Sequence, residues 1–368
     1  MELVYKGKAS REAVIEKAEF MKESIAVESD RSLLIKGDCF VSMASIMKDF
    51  KGKIDLVYMD PPQNGFMSEG ADRSRLKADD YAEFIRERVI LAYELLSEKG
   101  SLYLHISSRD SHFIKLLCDE IFGERCFKND ITRIRSNPRN SASDSYGNEK
   151  DVILFYAKNP ELTIWNDIRI PLEENEYSEK FNKFDSYGRR YATVPLHAPG
   201  ETKSGATGDV WRGISAPKGR HWMTTPDELD RLDSEGRIEW SQSGNPRLIV
   251  YAAEYEGKRI QDVWTYKDPL NPEYAGEKNA EMLDLIIRQS TKKGSIVLDC
   301  FSGSGAVLYC AEARKRRFIG MDSSTDSINM IMKNTQKSLE YHDLFTGFSQ
   351  TVAKEEAEQL SLFDDEEE

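Results

Sequence analysis

Two short segments of this 368-residue chain have residue types and spacing that suit chemistry. One is IVLDCFSGSG, residues 296 to 305, followed by RRFIGMD ending at Asp322. A glycine-rich turn directly after a strand lets a ligand approach the backbone, and the next helix aims its N-terminal amides at the same space. Gly303 and Gly305 admit a ligand there without a side-chain collision, and Asp322, after the following strand, carries a carboxylate suited to ribose hydroxyls. The bland alternatives are a tight strand-to-helix turn and an ordinary helix cap. FSGSG is not the GxGxxG dinucleotide fingerprint, and it lacks the lysine of a phosphate loop. The other segment is Asp60, Pro61, Pro62 and Gln63, placed after the apolar run from 54 to 59. Two prolines cannot continue a central ladder, so the strand ends there and exposes its loop. By itself DPP reads as a strand-ending turn more often than as a site.

The elements around these segments predict a layered α/β sheet with crossover helices. Strands are expected at 33–36, 54–59, 101–106, 151–156, 295–299 and 317–321. The spacing of Tyr81, Phe84, Ile85, Val89, Ala92 and Leu96 gives the apolar stripe of a helix. Further helices are expected at 111–122, 280–289, 306–313 and 325–339. Between about 160 and 275 the periodicity weakens, and prolines, glycines, tryptophans and basic residues alternate with short strand candidates such as 247–254. The chain is therefore divided into an N-terminal part (1–159), an inserted recognition region (160–275), a C-terminal part that completes the sheet (276–345) and an acidic tail (346–368).

An apolar fraction of 39% and a charged fraction of 31% fit an ordinary folded, water-facing protein and exclude global disorder. The net charge of -13 disfavours a uniformly basic nucleic-acid coat, but residues 355–368 alone hold eight acids and no base, which leaves room for a local basic groove. Five cysteines without a C-x-x-C pair speak against a zinc site or a disulfide framework. Early charges without a long apolar run argue against an export signal or a membrane span, so the expected location is the cytoplasm.

Taken together, the motifs resemble the permuted beta group of amino-directed DNA methyltransferases, which includes the modification subunits of type III restriction systems. The resemblance runs through GD at Gly37 and Asp38, DLVYMDPPQNGF at 55–66, GSLYLHIS at 100–107, VILFYAK at 152–158 and FSGSG at 301–305. WRG at 211–213, GRHW at 219–222 and SGNPR at 243–247 extend it through the middle region. It implies a permuted Rossmann-like methyltransferase sheet interrupted by a target-recognition region, with S-adenosylmethionine as cofactor. Asp299, Phe301, Gly303, Gly305 and Asp322 are the implied cofactor residues, and Asp38 is implied to approach the adenine. EKN at 277–279 stands where the family more often has a TQKP-like segment, and only Lys278 matches, on the methionine side.

The implied activity is site-specific methylation of adenine N6 in double-stranded DNA after the base is extruded. An aromatic amine is a weak nucleophile, so a site must hold it in line and accept its hydrogens. Asp60 and the Pro61 carbonyl are the implied acceptors, with Pro62 restraining the loop. Gln63 departs from the aromatic residue of DPPY; it can hydrogen-bond a base edge but lacks the π-face. That departure motivates a second reading, a cofactor-binding DNA-recognition protein with weak or no catalysis. Cytosine N4 and RNA methylation are further alternatives, and no metal is expected.

Arg133, Arg135 and Arg139 lie in one basic segment and Arg189, Arg190, Arg212 and Arg220 in another; with Arg247 these are the DNA-contact candidates. Trp211, Trp222 and Trp240 suit the core of the middle region or base stacking. The tail peptide Gln359, Leu360, Ser361, Leu362 and Phe363 resembles the pentapeptide with which bacterial proteins bind the replication sliding clamp. A homodimer or a restriction partner is the other implied association.

Overall fold

The computed structural model describes residues 2–27, 30–62, 78–137, 146–202, 204–242 and 244–352. The chain separates into two compact units, one of residues 1–167 and 261–368 and one of residues 168–260. The second unit is thus narrower than the region set off by weakened periodicity. Residues just outside its edges belong to the first unit through backbone pairing: the Ile164 amide donates to Lys99, and Val263 and Trp264 extend the main sheet.

The first unit is built on a ten-stranded sheet. In chain order its strands are β1 (Ser32–Lys36), β2 (Ile54–Met59), β3 (Leu96–Ser107), β4 (Phe127–Ile134), β5 (Lys150–Ala157), β6 (Val263–Trp264), β7 (Ile296–Asp299), β8 (Arg317–Asp322), β9 (Leu339–Asp343) and β10 (Phe348–Val352). Their spatial order is β6-β4-β5-β3-β2-β7-β8-β1-β9-β10. From β3 to β9 every neighbouring pair is parallel. Strands covered on both faces must be apolar along their whole length, and Leu33, Leu34, Ile35, Leu56, Val57, Val297 and Leu298 are all fully buried. The antiparallel β5 pairs with both β3 and β4, and β10 forms an antiparallel edge beside β9.

Seven helices accompany these strands in the described part of the first unit: α1 (Arg11–Met21), α2 (Cys39–Phe50), α3 (Ala78–Leu95), α4 (Ser111–Phe122), α5 (Ala280–Ser290), α6 (Ala306–Ala313) and α7 (Thr325–Asn334). The chain leaves β7 through α6 toward β8 and leaves β2 through α3 toward β3, on the opposite side. Between β2 and β7 the strand order therefore reverses. Loops diverge at such a switch point and open a crevice at the carboxyl ends of the strands, where open α/β sheets bind ligands.

The second unit has a four-stranded antiparallel sheet from Lys183–Phe184, Arg190–Pro195, Pro246–Tyr251 and Ile238–Trp240. It has its own small core of Leu196, Trp211, Trp222, Leu229 and Ile238. The Trp211 and Trp222 rings meet edge to face, and their indole N–H groups donate to Asp230 Oδ1 and the Asp209 carbonyl. These two tryptophans hold the unit together and are not available for stacking on a base. Trp240 stacks on Trp211 but remains 38% exposed.

Candidate active site

Parallel register brings the motif residues to one edge of the sheet. Asp299, which ends β7, pairs with Tyr58 of β2 on one side and Gly320 of β8 on the other. Lys36 of β1 pairs with Asp322 at the end of β8. Asp38, Asp60, Phe301 and Gly303 follow directly on these strand ends, so two segments more than 200 residues apart in sequence meet at the switch point.

The glycine turn is fixed from both ends. Asp322 accepts the Gly303 amide on Oδ2 and the Ser324 amide on Oδ1, each at 2.8 Å, which leaves lone pairs on both oxygens. Ser327 Oγ donates to the Gly303 carbonyl at 2.6 Å. Gly305 is left-handed (φ 81°) and opens α6; a Cβ there would lie 2.7 Å from Ile331 Cγ1 and 2.8 Å from the Tyr309 hydroxyl oxygen. Only glycine fits that position. Gly303 has φ 48° and faces the Tyr274 ring, 3.4 Å from where a Cβ would stand. Tyr274 was not singled out from the sequence, where it is one aromatic residue among many in an irregular stretch.

Asp299 is buried, and burial pushes its carboxyl up to about 8, with the Asp60 and Asp322 carboxylates adding to the rise against the Phe301 amide and Lys278. Asp38 is exposed and caps α2, accepting from the Phe40 and Val41 amides; its other oxygen accepts from Arg88 at 2.8 Å. Arg88 in turn lies over the Phe84 ring, and Phe84 packs on Phe301.

On the β2 side, Asp60 is partly buried and its Oδ2 lies 2.5 Å from Lys278 Nζ. Lys278, implied by the resemblance on the methionine side of the cofactor, places its ammonium on the DPP carboxylate. The Tyr81 hydroxyl donates to the Pro62 carbonyl at 3.2 Å, so α3 fastens the end of the loop. Sequence reading placed Tyr81 on the apolar stripe of that helix, which is correct, but its hydroxyl gave no signal. Beneath Asp60, Tyr58 and His105 Nδ1 are 3.0 Å apart, and His105 Nε2 reaches Asp151 at 3.3 Å. Burial raises the Asp151 carboxyl, but the hydrogen bond from His105 and the charges of His105, Arg135 and Arg133 overcome it and hold it low. Gln63 lies outside the described residues.

The arginines fare unevenly. Arg133 is fully buried, donating to the Tyr266 carbonyl and pairing with Asp268, so it is a structural ion in the sheet and the expectation of a DNA contact is corrected. Strand alternation turns its side chain inward, which charge counting along a segment cannot reveal. Arg135 reaches toward Asp151 but is 32% exposed. In the second unit Arg189 pairs with Asp185 and lies over Tyr251, Arg212 pairs with Asp230 and Asp233, and Arg247 donates to Thr193. Arg190 lies over the Phe184 ring, and exposed Arg220 contacts His197. Arg139 and the tail peptide from Gln359 to Phe363 fall outside the described residues. Among the described residues no group of three or more His, Cys, Asp and Glu is arranged to hold a metal, and no helix is long and apolar enough to cross a membrane.

Residues 54–333 match the family model described as DNA methylase, of the N6/N4 type. The chain belongs to the N6/N4 DNA methylase family. This methylase is 34% identical over 352 residues to the type II methyltransferase M.EcaI of Enterobacter cloacae, a match covering 90% of this chain and 76% of that protein. It is 24% identical over 340 residues to the Mod subunit of the type III restriction-modification enzyme StyLTI of Salmonella typhimurium, covering 78% of this chain and 50% of that subunit. Among solved structures, the M1.HpyAVI–SAM complex matches 82% of this chain and 99% of its own at 16% identity, with a TM-score of 0.44. The cytosine-N4-specific PvuII DNA methyltransferase matches 84% and 86% at 11% identity, with a TM-score of 0.49. The family is one of S-adenosylmethionine-dependent DNA methyltransferases, and DNA is the substrate expected of this methylase.

The residues at the strand ends suit that cofactor. A ligand with a sulfonium and an ammonium matches an edge lined by Asp299, Asp60 and Asp322, and ribose hydroxyls match the remaining lone pairs of Asp322.

Proposed function

We propose that this methylase modifies adenine N6 in duplex DNA at a specific sequence, with Asp60 and the Pro61 carbonyl accepting the hydrogens of the target amine. The observation that carries this reading is the register of β2 against β7, which sets the DPP loop beside the glycine turn at one switch point. When bound, S-adenosylmethionine supplies an electrophilic methyl. Asp299, Phe301, Gly303, Gly305, Asp322 and Asp38 are assigned to holding it, with Asp322 toward ribose and Phe301, braced by Phe84, on the apolar side.

Asp60 acts as orienter and electrostatic stabiliser. As the amine attacks, its nitrogen becomes more pyramidal and more positive, and a carboxylate and a carbonyl fixed by the prolines favour that change over the flat ground state. The base has to leave the duplex to reach this edge. The 168–260 unit is assigned to target recognition, with Arg189, Arg190, Arg220 and Arg247 as its backbone-contact candidates. M.EcaI and the Mod relatives support a restriction–modification setting, in which a homodimer or a complex with a restriction subunit is the expected assembly. Nothing among the relatives supports the sliding clamp as a partner.

The test is incubation of unmodified duplex DNA with methyl-labelled S-adenosylmethionine, followed by nucleoside analysis. N6-methyladenine is expected, and Asp60→Ala should lower transfer at least about a hundredfold while cofactor affinity stays within a few-fold. Methylcytosine would move the assignment to N4. No transfer to any DNA by a chain that binds cofactor would leave only the silent recognition reading.

A further inference from the structure

Lys278 sits on the carboxylate that the proposed reaction requires. Its Nζ lies 2.5 Å from Asp60 Oδ2, and the two side chains are only 19% and 21% exposed. The same ammonium donates to the Gly276 carbonyl at 3.1 Å. The backbone beside it is fastened separately: Asn279 caps α5 by accepting the Met282 amide and donates to the Lys267 carbonyl. A fixed root and a four-carbon stem ending in a compact charge allow the head to swing away while the chain stays in place.

An ammonium and an exocyclic amine offer Asp60 the same thing, an N–H donor. We propose that Lys278 is a specificity-determining residue of the amine pocket, holding the place of the target amine on Asp60 until the base exchanges for it. This rests on the methyl-transfer reading above. A base with a carbonyl or a bare carbon at that position brings no donor and leaves a mostly buried carboxylate uncompensated once the ammonium departs, so it is rejected at the exchange. A base with an amino group replaces one donor by another and adds a second N–H for the Pro61 carbonyl.

The charges around the pair hold it together. Asp60 is felt by Asp299 and by the Tyr58 and Tyr81 hydroxyls, while Lys278 is drawn by Asp268 and repelled by Arg133. Burial pulls the Lys278 ammonium down, and the Asp60 carboxylate more than restores it, so the lysine is held charged.

The experiment compares wild type, Lys278→Met and Lys278→Arg on the site mapped by sequencing the wild-type product. Dissociation constants are measured with S-adenosylhomocysteine present, for a duplex with the target base and for one carrying at that position an analogue without the exocyclic amine, purine in place of adenine. Removing the competing charge-assisted bond in Lys278→Met should tighten the target duplex about tenfold. The purine duplex, no longer rejected at the exchange, should tighten as well, so that discrimination between the two duplexes does not widen, and S-adenosylhomocysteine affinity should stay within twofold. Lys278→Arg keeps a cation on Asp60 and should not tighten the target duplex. If Lys278→Met does not fold, Lys278→Gln gives the same comparison. An unchanged or weaker target duplex, or a loss confined to S-adenosylhomocysteine affinity, overturns the proposal. Failure of the methyl-transfer reading is distinguishable, because wild type then labels no DNA at all, and the proposal falls with it.

Discussion

Asp299 concentrates the electrostatics of the cofactor edge in one buried carboxyl. Its rise to about 8 means that below that pH it is protonated and neutral, so the free protein does not hold an uncompensated charge under the glycine turn. A cationic cofactor favours the ionised form and must expel the proton to obtain it. Affinity for S-adenosylmethionine should therefore climb as pH rises toward 8, by up to about tenfold per unit, and level off above it. Titration calorimetry in two buffers of different ionisation enthalpy should detect the released proton at pH 7, and Asp299→Asn should abolish both the release and the slope. The stability consequence has the opposite sign. Between the ordinary carboxylate range and about 8 the folded chain holds a proton that the unfolded chain has lost, so stability falls with rising pH by at most about 1.4 kcal/mol per unit. Denaturant midpoints of Asp299→Asn should lack that decline. Gln63 carries a second prediction at this scale. Gln63→Tyr supplies the missing π-face, so binding of the extruded base should strengthen by about 1–3 kcal/mol, read as a lower dissociation constant for the target duplex. Weaker binding would show that the amide makes a contact the ring cannot replace.

At the scale of elements, α3 ties the two halves of the site together. Tyr81 holds the Pro62 carbonyl, Phe84 stacks near Tyr81 and packs on Phe301, and Arg88 joins Phe84 to the Asp38 cap. One helix face thus touches both the DPP loop and the cofactor turn. Tyr81→Phe keeps the ring and removes one buried donor, which should leave the Pro62 carbonyl unheld at a cost of roughly 0.5–1.5 kcal/mol. Because the loss falls on loop position, kcat should drop up to about tenfold while cofactor affinity is unchanged. An equal loss in cofactor affinity would show that the packing on Phe301, rather than the hydroxyl, carries the coupling. This stripe was legible as a helix face from the spacing of Tyr81, Phe84, Ile85 and Val89, because burial on a helix repeats every 3.6 residues. The bonds it makes were not legible, since a hydroxyl or guanidinium at a given spacing says nothing about which loop the fold brings to it. The same limit hid β9. Its Glu340, His342 and Asp343 are buried, so no apolar run announced a strand; His342 is held by Ser349, and Asp343 by Lys36 at 3.2 Å.

For the molecule as a whole, the central strands and the crossover helices between them followed from alternating apolar runs and glycine or proline stops, because those patterns record burial directly, whereas the strand order and its switch point did not. Arg133 marks where such reading ends: a basic residue in a basic segment became a buried cation paired with a partly exposed Asp268, and only strand register decides that. The second unit is where sequence says least, and its role can be tested through its own core. Trp222 is 2% exposed and packs with Trp211 over Leu196, Leu229 and Ile238. A large-to-small change in such a core costs roughly 3–5 kcal/mol, comparable to the entire stability of a small domain. Trp222→Ala should therefore unfold residues 168–260 at a lower temperature than the rest of the chain, giving two calorimetric transitions where wild type has fewer. S-adenosylmethionine affinity should remain within about twofold, since every cofactor candidate lies in the first unit, while affinity for duplex DNA should fall at least tenfold. Retained DNA affinity would remove target recognition from this unit, and collapse of cofactor binding would show that the first unit depends on the second to fold.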